Sequence, residues 1–487
     1  MPDTLKQRAV SGVFWVGVTG AISRVLSFGT MLVLAKLLTP EELGLVALGW
    51  LVTSSTGLFR EMGLNRALIY QKENVTEAAD TAFYLLPIIS VVLYGILFLA
   101  APLLAEFFRE SAITQLVRIL GLTLVIQSFG EIPAALLEKD IKFKRASLPD
   151  TLNLSIYSIG SVILAWYGFS YWSIVIAQLV GELVRLAAVW ILSPWRPSFR
   201  FHRSAVQNLF AYRKYVFGAT IVNFGIRNID DAAIGRMLGM QVLGIYATAY
   251  RPANLPATNI TNVIARVMMP VFTQLSHRTD ELSHAFLKTL NHTASVNIPV
   301  SLLIVMLTGD FLTTIYQDKW ADAIAPLRIL CVFGLLRALG SGTGSVFLAT
   351  GRPAISMKIA GGQFVCMLAF LYPAIHFWGV TGVCWLFTFG AVGSLLASYV
   401  AVRRIIPFTW SSLWKTVALP IASASLAGVI VWTVRYWWEL TQGLPELALL
   451  ASLLFIIYLI PLVNFDPEYR ELWRTRVLPK LLPSSLR

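Results

Sequence analysis

A chain of 487 residues with 56% hydrophobic and 13% charged side chains has too few charges to cover a water-facing surface, since soluble domains carry about 25%. Its net charge of +13 accompanies apolar runs of roughly 20 residues from end to end, each long enough to cross about 30 Å of hydrocarbon. These features exclude a soluble helical protein and identify an all-α polytopic membrane protein.

About fourteen spans are predicted, near 10–38, 42–59, 81–105, 116–137, 151–167, 172–192, 215–238, 242–274, 293–312, 323–349, 355–375, 380–401, 414–435 and 444–463. The opening "MPDTLKQRAV" does not predict a cleavable signal, because the run behind it is too long for an h-region and lacks a small-residue cleavage site. With the N-terminus inside, the inner segments hold Lys6, Arg8, Arg60, Arg66, Lys72, Lys139, Lys142, Lys144 and Arg145, then Arg196, Arg200, Arg203, Arg213 and Lys214. The same bias continues through Arg278, Lys288, Arg352, Lys358, Arg403, Arg404, Lys415 and the basic C-terminal end, against little beyond Arg109 and Lys319 outside. The positive-inside rule therefore predicts cytoplasmic termini. The positive charge is read as topology and contact with anionic lipid, not as a nucleic-acid surface. Cys331, Cys366 and Cys384 fall within predicted spans and suggest neither a disulfide framework nor a metal site.

One stretch occurs twice. "LAKLLTPEELGLVAL" at 34–48 returns as "IGRMLGMQVLGIYAT" at 234–248, with Lys36 on Arg236, Leu38 on Leu238, Leu43 on Leu243, Gly44 on Gly244 and Ala47 on Ala247. With six spans between the copies, both enter from the same face, as in a parallel repeat about an axis along the membrane normal. The expected layout is two six-helix lobes, 1–192 and 215–401, and two additional spans at 402–463 with a basic tail at 464–487. A basic interfacial linker at 193–214, carrying Trp195, Phe199, Phe201 and Phe210, joins the lobes.

Charges inside spans are the candidate functional residues, because a charge near the bilayer centre costs at least about 2.5–3.5 kcal/mol and faces a cavity or a partner. Arg24 lies in the first span, Arg227 in the seventh and Arg337 in the tenth, just before "GSGTG". Glu131 lies in the fourth span and Glu182 with Arg185 in the sixth; Asp230 and Asp231 follow Arg227. Helical spacing predicts a Glu182–Arg185 pair and allows Arg227 to meet Asp230 or Asp231. Arg24 has no acidic neighbour within a turn. Lys36 and Arg236, near span ends, are expected to snorkel. The eighth span, "YATAYRPANLPATNITNVIARVMMPVF", is broken by Pro252 and Pro256. It carries Arg251, Asn254, Asn259, Thr261 and Asn262, as suits a helix lining a wet cavity. Arginines with amides and hydroxyls suit a sugar phosphate; a purely structural kink is the alternative.

The segments "SRVLSFGTMLVLAKLLTPEELGLVAL" (23–48), "GLFREMGLNRALIYQKENVTEAADTAFY" (57–84) and "YRPANLPATNITNVIARVMMPVFTQL" (250–275) resemble the Wzx-type oligosaccharide flippases. These form the polysaccharide-exporter branch of the multidrug/oligosaccharidyl-lipid/polysaccharide superfamily, and the likeness is to the colanic-acid exporter group. The resemblance implies a flippase for undecaprenyl-diphosphate-linked repeat units, working by alternating access of two lobes in the bacterial cytoplasmic membrane. It implies no enzyme activity and no cofactor, and it makes a polysaccharide polymerase and other assembly proteins expected partners. Cationic cavity residues in such proteins are thought to hold the diphosphate and acidic sugars; Arg24 and Arg227 best suit that role here, with Arg337, Arg251, Asn254 and Asn259 as further candidates. Asp230, Asp231, Glu131 and Glu182 are candidate proton or sodium sites. No G-x-x-x-x-G-K-[ST] phosphate loop occurs in the sequence. Two alternatives stay open: an ion-coupled drug or cation antiporter of the same superfamily, which needs a cavity biased towards carboxylates, and a membrane enzyme of polysaccharide assembly. The short outward loops and the scattered positions of His202, His277, His284, His292 and His376 speak against the second.

Overall fold

A computed structural model describes residues 2–61, 75–139, 143–198, 213–255, 257–258, 261–438 and 443–472, and these are helical with no strand among them. The chain forms two compact units, Met1–Ala247 and Thr248–Arg487. Eight stretches among the described residues are long and apolar enough to cross a membrane, so this is a multi-pass membrane protein. Two of the eight, Thr279–Ala349 and Pro353–Arg403, are 71 and 51 residues long and bend midway. Most of the expected linker, Pro256, Asn259 and the tail beyond residue 472 lie outside the described residues.

The first unit holds α1 (Pro2–Leu37), α2 (Pro40–Glu61), α3 (Val75–Phe108), α4 (Ala112–Lys139), α5 (Phe143–Trp166), α6 (Trp172–Leu192) and α7 (Arg213–Leu238), and the start of α8 (Met240–Ala253). The pairs α5–α6, α3–α4 and α1–α5 pack along their lengths, and α4 also packs on α6 and α2. Trp195, just after α6, packs against Phe83 and Trp190.

The polar residues in the first repeated stretch prove to be helix punctuation. Between α1 and α2 the chain forms a capping box: the Thr39 N–H donates to Glu42 Oε2 at 2.6 Å and the Glu42 N–H to Thr39 Oγ1 at 3.2 Å. Pro40, at the first helical position, has no N–H to leave unsatisfied. Glu42 also accepts a hydrogen bond from Ser170 Oγ, which ties this turn to the α5–α6 turn. The second copy stops its helix differently, with Gly239 at φ +87° between α7 and α8, a left-handed conformation open to glycine at little cost.

The two copies meet. A Cβ on Gly44 would sit 1.9 Å from the Met240 carbonyl oxygen, and one on Gly244 would sit 1.7 Å from that of Pro40. Each glycine thus receives the first turn of the other copy's helix at backbone distance. This reciprocal contact explains why glycine stands at the equivalent position of both stretches.

The second unit holds the rest of α8, α9 (Thr261–Gln274), α10 (Thr279–Tyr316), a 3-10 turn (Gln317–Ala323), α11 (Ile324–Ala349), α12 (Pro353–Arg403), α13 (Trp410–Trp438), α14 (Leu444–Phe465) and α15 (Pro467–Leu472). Gly379, at φ +59°, folds α12 into two segments. Phe286, Phe347, Tyr399, Leu454 and Tyr458 share one core cluster, so α13 and α14 pack into the unit rather than hanging from it. Tyr458 donates to the Ser295 carbonyl at 2.8 Å, and Arg435 Nη2 pairs with Asp310 Oδ1 at 2.6 Å.

The expected eighth span is interrupted, as its prolines require. It divides into α8 and α9, with a turn at Asn254. The α8 end is held by α11: a Cβ on Gly334 would lie 2.1 Å from the Ala253 carbonyl oxygen.

Gly44→Ala and Gly244→Ala should each lower the thermal midpoint of the detergent-solubilised protein, because overpacking a close contact costs about 1–3 kcal/mol. Gly20→Ala, where a Cβ meets nothing within 4 Å, is the control. Equal midpoints for all three would show that the glycine contact is dispensable.

Candidate functional site

Of the expected cationic residues, Arg24 on α1 and Arg227 on α7 both have exposed side chains. Neither makes a hydrogen bond or ion pair with a described residue. The expected pairing of Arg227 with Asp230 does not form. Asp230 is only 1% exposed and instead accepts a hydrogen bond from the Tyr246 hydroxyl, Oη to Oδ2, at 2.5 Å. Asp231 is half-buried beside it. An unpaired guanidinium on a spanning helix has to reach water, since contact with hydrocarbon carries the full insertion cost.

The second unit brings two candidates together. Arg337 Nη1 on α11 donates to Asn254 Oδ1 at 2.7 Å, and its guanidinium lies 5.3 Å from the centre of the Phe333 ring. Asn254 is 5% exposed and sits in the turn that breaks the eighth span, so the irregular backbone and the mid-span arginine stabilise each other. Arg251, one turn earlier, is exposed. Asn259 lies outside the described residues.

In the first unit the structure assembles a polar cluster that the sequence reading divided wrongly. Arg60, read as a loop cation, is buried at 3% exposure in the last turn of α2. Its Nη2 lies 2.5 Å from Glu131 Oε1 on α4, and its Nη1 donates to the Leu124 carbonyl and to Gln127 Oε1 at 3.0 and 3.1 Å. The helix runs on past the apolar stretch, so its basic end is covered by α4. Gln127 passes the network on, its Nε2 donating to Glu182 Oε1 on α6 at 2.8 Å. The expected Glu182–Arg185 pair is also replaced: Arg185 Nε bonds Asp150 Oδ1 on α5 at 2.7 Å. Side-chain direction and a partner on the neighbouring helix outweigh same-helix spacing here.

This network borders a cavity of about 400 Å³, whose wall also includes Glu138 and Asn153. The signal for it was present in the sequence. Gln127 and Glu131 in the predicted span 116–137, and Glu138 just past its end, recur at helical spacing, a polar stripe that requires a partner or water. What the stripe faces is a tertiary fact.

A family model described as "Polysaccharide biosynthesis protein" matches residues 33–325 of the chain. The teichuronic acid biosynthesis protein TuaB of Bacillus subtilis (strain 168) is 26% identical over 477 residues, covering 97% of this chain and 98% of its own. The lipopolysaccharide biosynthesis protein WzxC of Escherichia coli (strain K12) is 25% identical over 446 residues, with 88% and 89% covered. Among solved structures, the lipid II flippase MurJ in an inward closed conformation superposes with a TM-score of 0.71 at 14% identity, covering 94% of this chain and 99% of that one. An inward-facing multidrug resistance MATE family transporter of the MOP superfamily gives 0.61 at 19% identity, covering 83% and 99%. At these identities the structures establish a shared fold.

Arg60→Ala should be strongly destabilising, by about 3–5 kcal/mol, because it removes the guanidinium held 2.5 Å from the buried Glu131 carboxylate. The apolar pair Arg60→Met with Glu131→Leu should recover most of the loss. Thermal melts and yields in detergent of the single and double variants test this; an unaffected Arg60→Ala protein would remove the ion pair from the account of the unit's stability.

Proposed function

The chain belongs to the polysaccharide biosynthesis protein family, and from that premise we propose that it carries undecaprenyl-diphosphate-linked oligosaccharide repeat units from the inner to the outer leaflet of the bacterial cytoplasmic membrane. The observation that carries this reading is the pair of exposed arginines, Arg24 on α1 and Arg227 on α7, which meet no carboxylate among the described residues. A diphosphate cannot enter hydrocarbon, whereas a polyprenyl tail can remain in it. The task therefore needs a wet groove for the head group, lined by guanidinium, which grips phosphate oxygens bidentately. In the second unit, Arg337 with Asn254, and Arg251, are further candidate contacts for the head group. Fourteen spans in two lobes, with cytoplasmic termini, would present the groove to each side in turn by alternating access.

Export of an anion is favoured by an inside-negative potential, by about 2.3 kcal/mol per charge per 100 mV. Any further coupling falls to the carboxylates. Asp230 and Glu182 are buried without a cationic partner among the described residues, whereas Glu131 is held by Arg60. A polymerase that consumes the exported units would draw the process forward. One observation favours the cation antiporter: the cavity of the first unit has four carboxylates, Glu131, Glu138, Asp150 and Glu182, against two arginines.

Translocation of a fluorescent polyprenyl-diphosphate sugar in proteoliposomes, read by quenching from outside, decides between the two. The wild type should flip the probe, and Arg24→Ala and Arg227→Ala should each slow it at least about tenfold, the equivalent of one 1.36 kcal/mol step. A wild type that moves ethidium against a proton or sodium gradient and leaves the lipid probe in place would establish the antiporter instead. Under an imposed proton gradient, Asp230→Asn and Glu182→Gln should abolish any proton dependence; unchanged dependence removes them from coupling.

A further inference from the structure

We propose that the cavity of the first unit is a glycan subsite that accepts a neutral or amino-bearing sugar of the head group and turns uronic acids away. The inference rests on the flippase reading and assigns that reading a second site, separate in chemistry from the arginines assigned to the diphosphate. The cavity's volume of about 400 Å³ lies in the range of small-ligand sites, roughly 300–1,000 Å³. Four helices contribute to its wall.

Its charges decide the occupant. Both guanidiniums are committed to carboxylates, Arg60 to Glu131 and Arg185 to Asp150. Glu138 and Glu182 make no ion pair with a described residue, so the wall carries a formal excess of two negative charges. A phosphate or uronate entering here would meet like charge, which specificity sites use for rejection.

Glu182 also argues against a bare metal ion. It is 5% exposed, and the Gln127 and Gln178 amides both turn N–H groups to its Oε1, at 2.8 and 3.5 Å. Gln127 directs its oxygen to Arg60 at 3.1 Å. A hard cation calls for several oxygens converging on it, and the amide neighbours of Glu182 present nitrogen. What a carboxylate oxygen can take is a donor, and sugar hydroxyls and ammonium groups are donors. Asn153 supplies an amide with both functions. It lies so close to α6 that a Cβ on Gly181 would sit 2.5 Å from its Oδ1.

The test uses the full chain purified in detergent and, in parallel, the proteoliposome assay. Titration calorimetry compares a glucosamine disaccharide with a disaccharide containing glucuronate. The glucosamine disaccharide should bind at least about tenfold tighter, and Glu182→Gln and Glu138→Gln should each reduce the preference severalfold, with the double substitution bringing the two close to parity. Glu138 is exposed, so its variant keeps the test valid if Glu182→Gln folds poorly. In proteoliposomes, lipid-linked probes bearing the same sugars should flip in the same order. Equal binding of the two disaccharides, or a preference untouched by both substitutions, overturns the subsite. Flipping without sugar preference also overturns it while leaving the flippase reading intact. Selective sugar binding with no flipping of any probe upholds the subsite and overturns the flippase reading. Binding of an organic cation without hydroxyls, in place of either disaccharide, contradicts it in favour of the antiporter.

Discussion

A charged side chain at the bilayer centre costs at least about 2.5–3.5 kcal/mol, and the helices of this protein answer that cost in three ways. Some cations are paired with carboxylates: Arg60 with Glu131 in the interior, and the more exposed Arg435 with Asp310. Others lie along their own surroundings, as Arg118 does, its Nε donating to the Phe98 carbonyl at 3.2 Å while its guanidinium lies 4.2 Å from the Phe98 ring centre. Arg24 and Arg227 belong to neither class. Exposed charges that meet no carboxylate among the described residues are compatible with a membrane only where water reaches them, and this is the physical basis for proposing them as the diphosphate's contacts.

The repeated stretch shows how one geometry is written in two chemistries. In the first copy, Thr39, Pro40 and Glu42 stop one helix and start the next through a capping box. In the second, Gly239 makes the break by backbone conformation alone. What the copies retain is Gly44 and Gly244, because each must admit a carbonyl of the other's first turn. Here the identical residue marks a contact, whereas the break itself tolerates substitution.

The sequence announced the helices, the break in the eighth span and the paired turns, since these depend on apolar run length, proline and local hydrogen bonding. It located the charges but not their partners. Arg60 looked like a loop cation because hydropathy falls at the end of α2, although helical geometry carries on to Glu61. The Glu182–Arg185 spacing suited a pair, yet Asp150 on the neighbouring helix took the arginine. Asn254 and Arg337 were both singled out, but nothing local places residues 83 apart within one hydrogen bond. Missed partners of this kind turned a supposed set of separate charges into one connected cluster around a cavity.

The account thus separates two tasks: arginines open to water for an anionic linkage, and an acidic, amide-bearing cavity for the sugars. Its central claim is the direction of lipid movement, and sidedness in cells tests it most directly. The chain would be depleted from cells that make the lipid-linked repeat unit, and the glycan's exposure to membrane-impermeant periodate compared in spheroplasts and inverted vesicles. The account predicts that lipid-linked units accumulate and are oxidised only in inverted vesicles. Accumulated units oxidised equally in depleted spheroplasts would mean that they cross without this protein, and would contradict it.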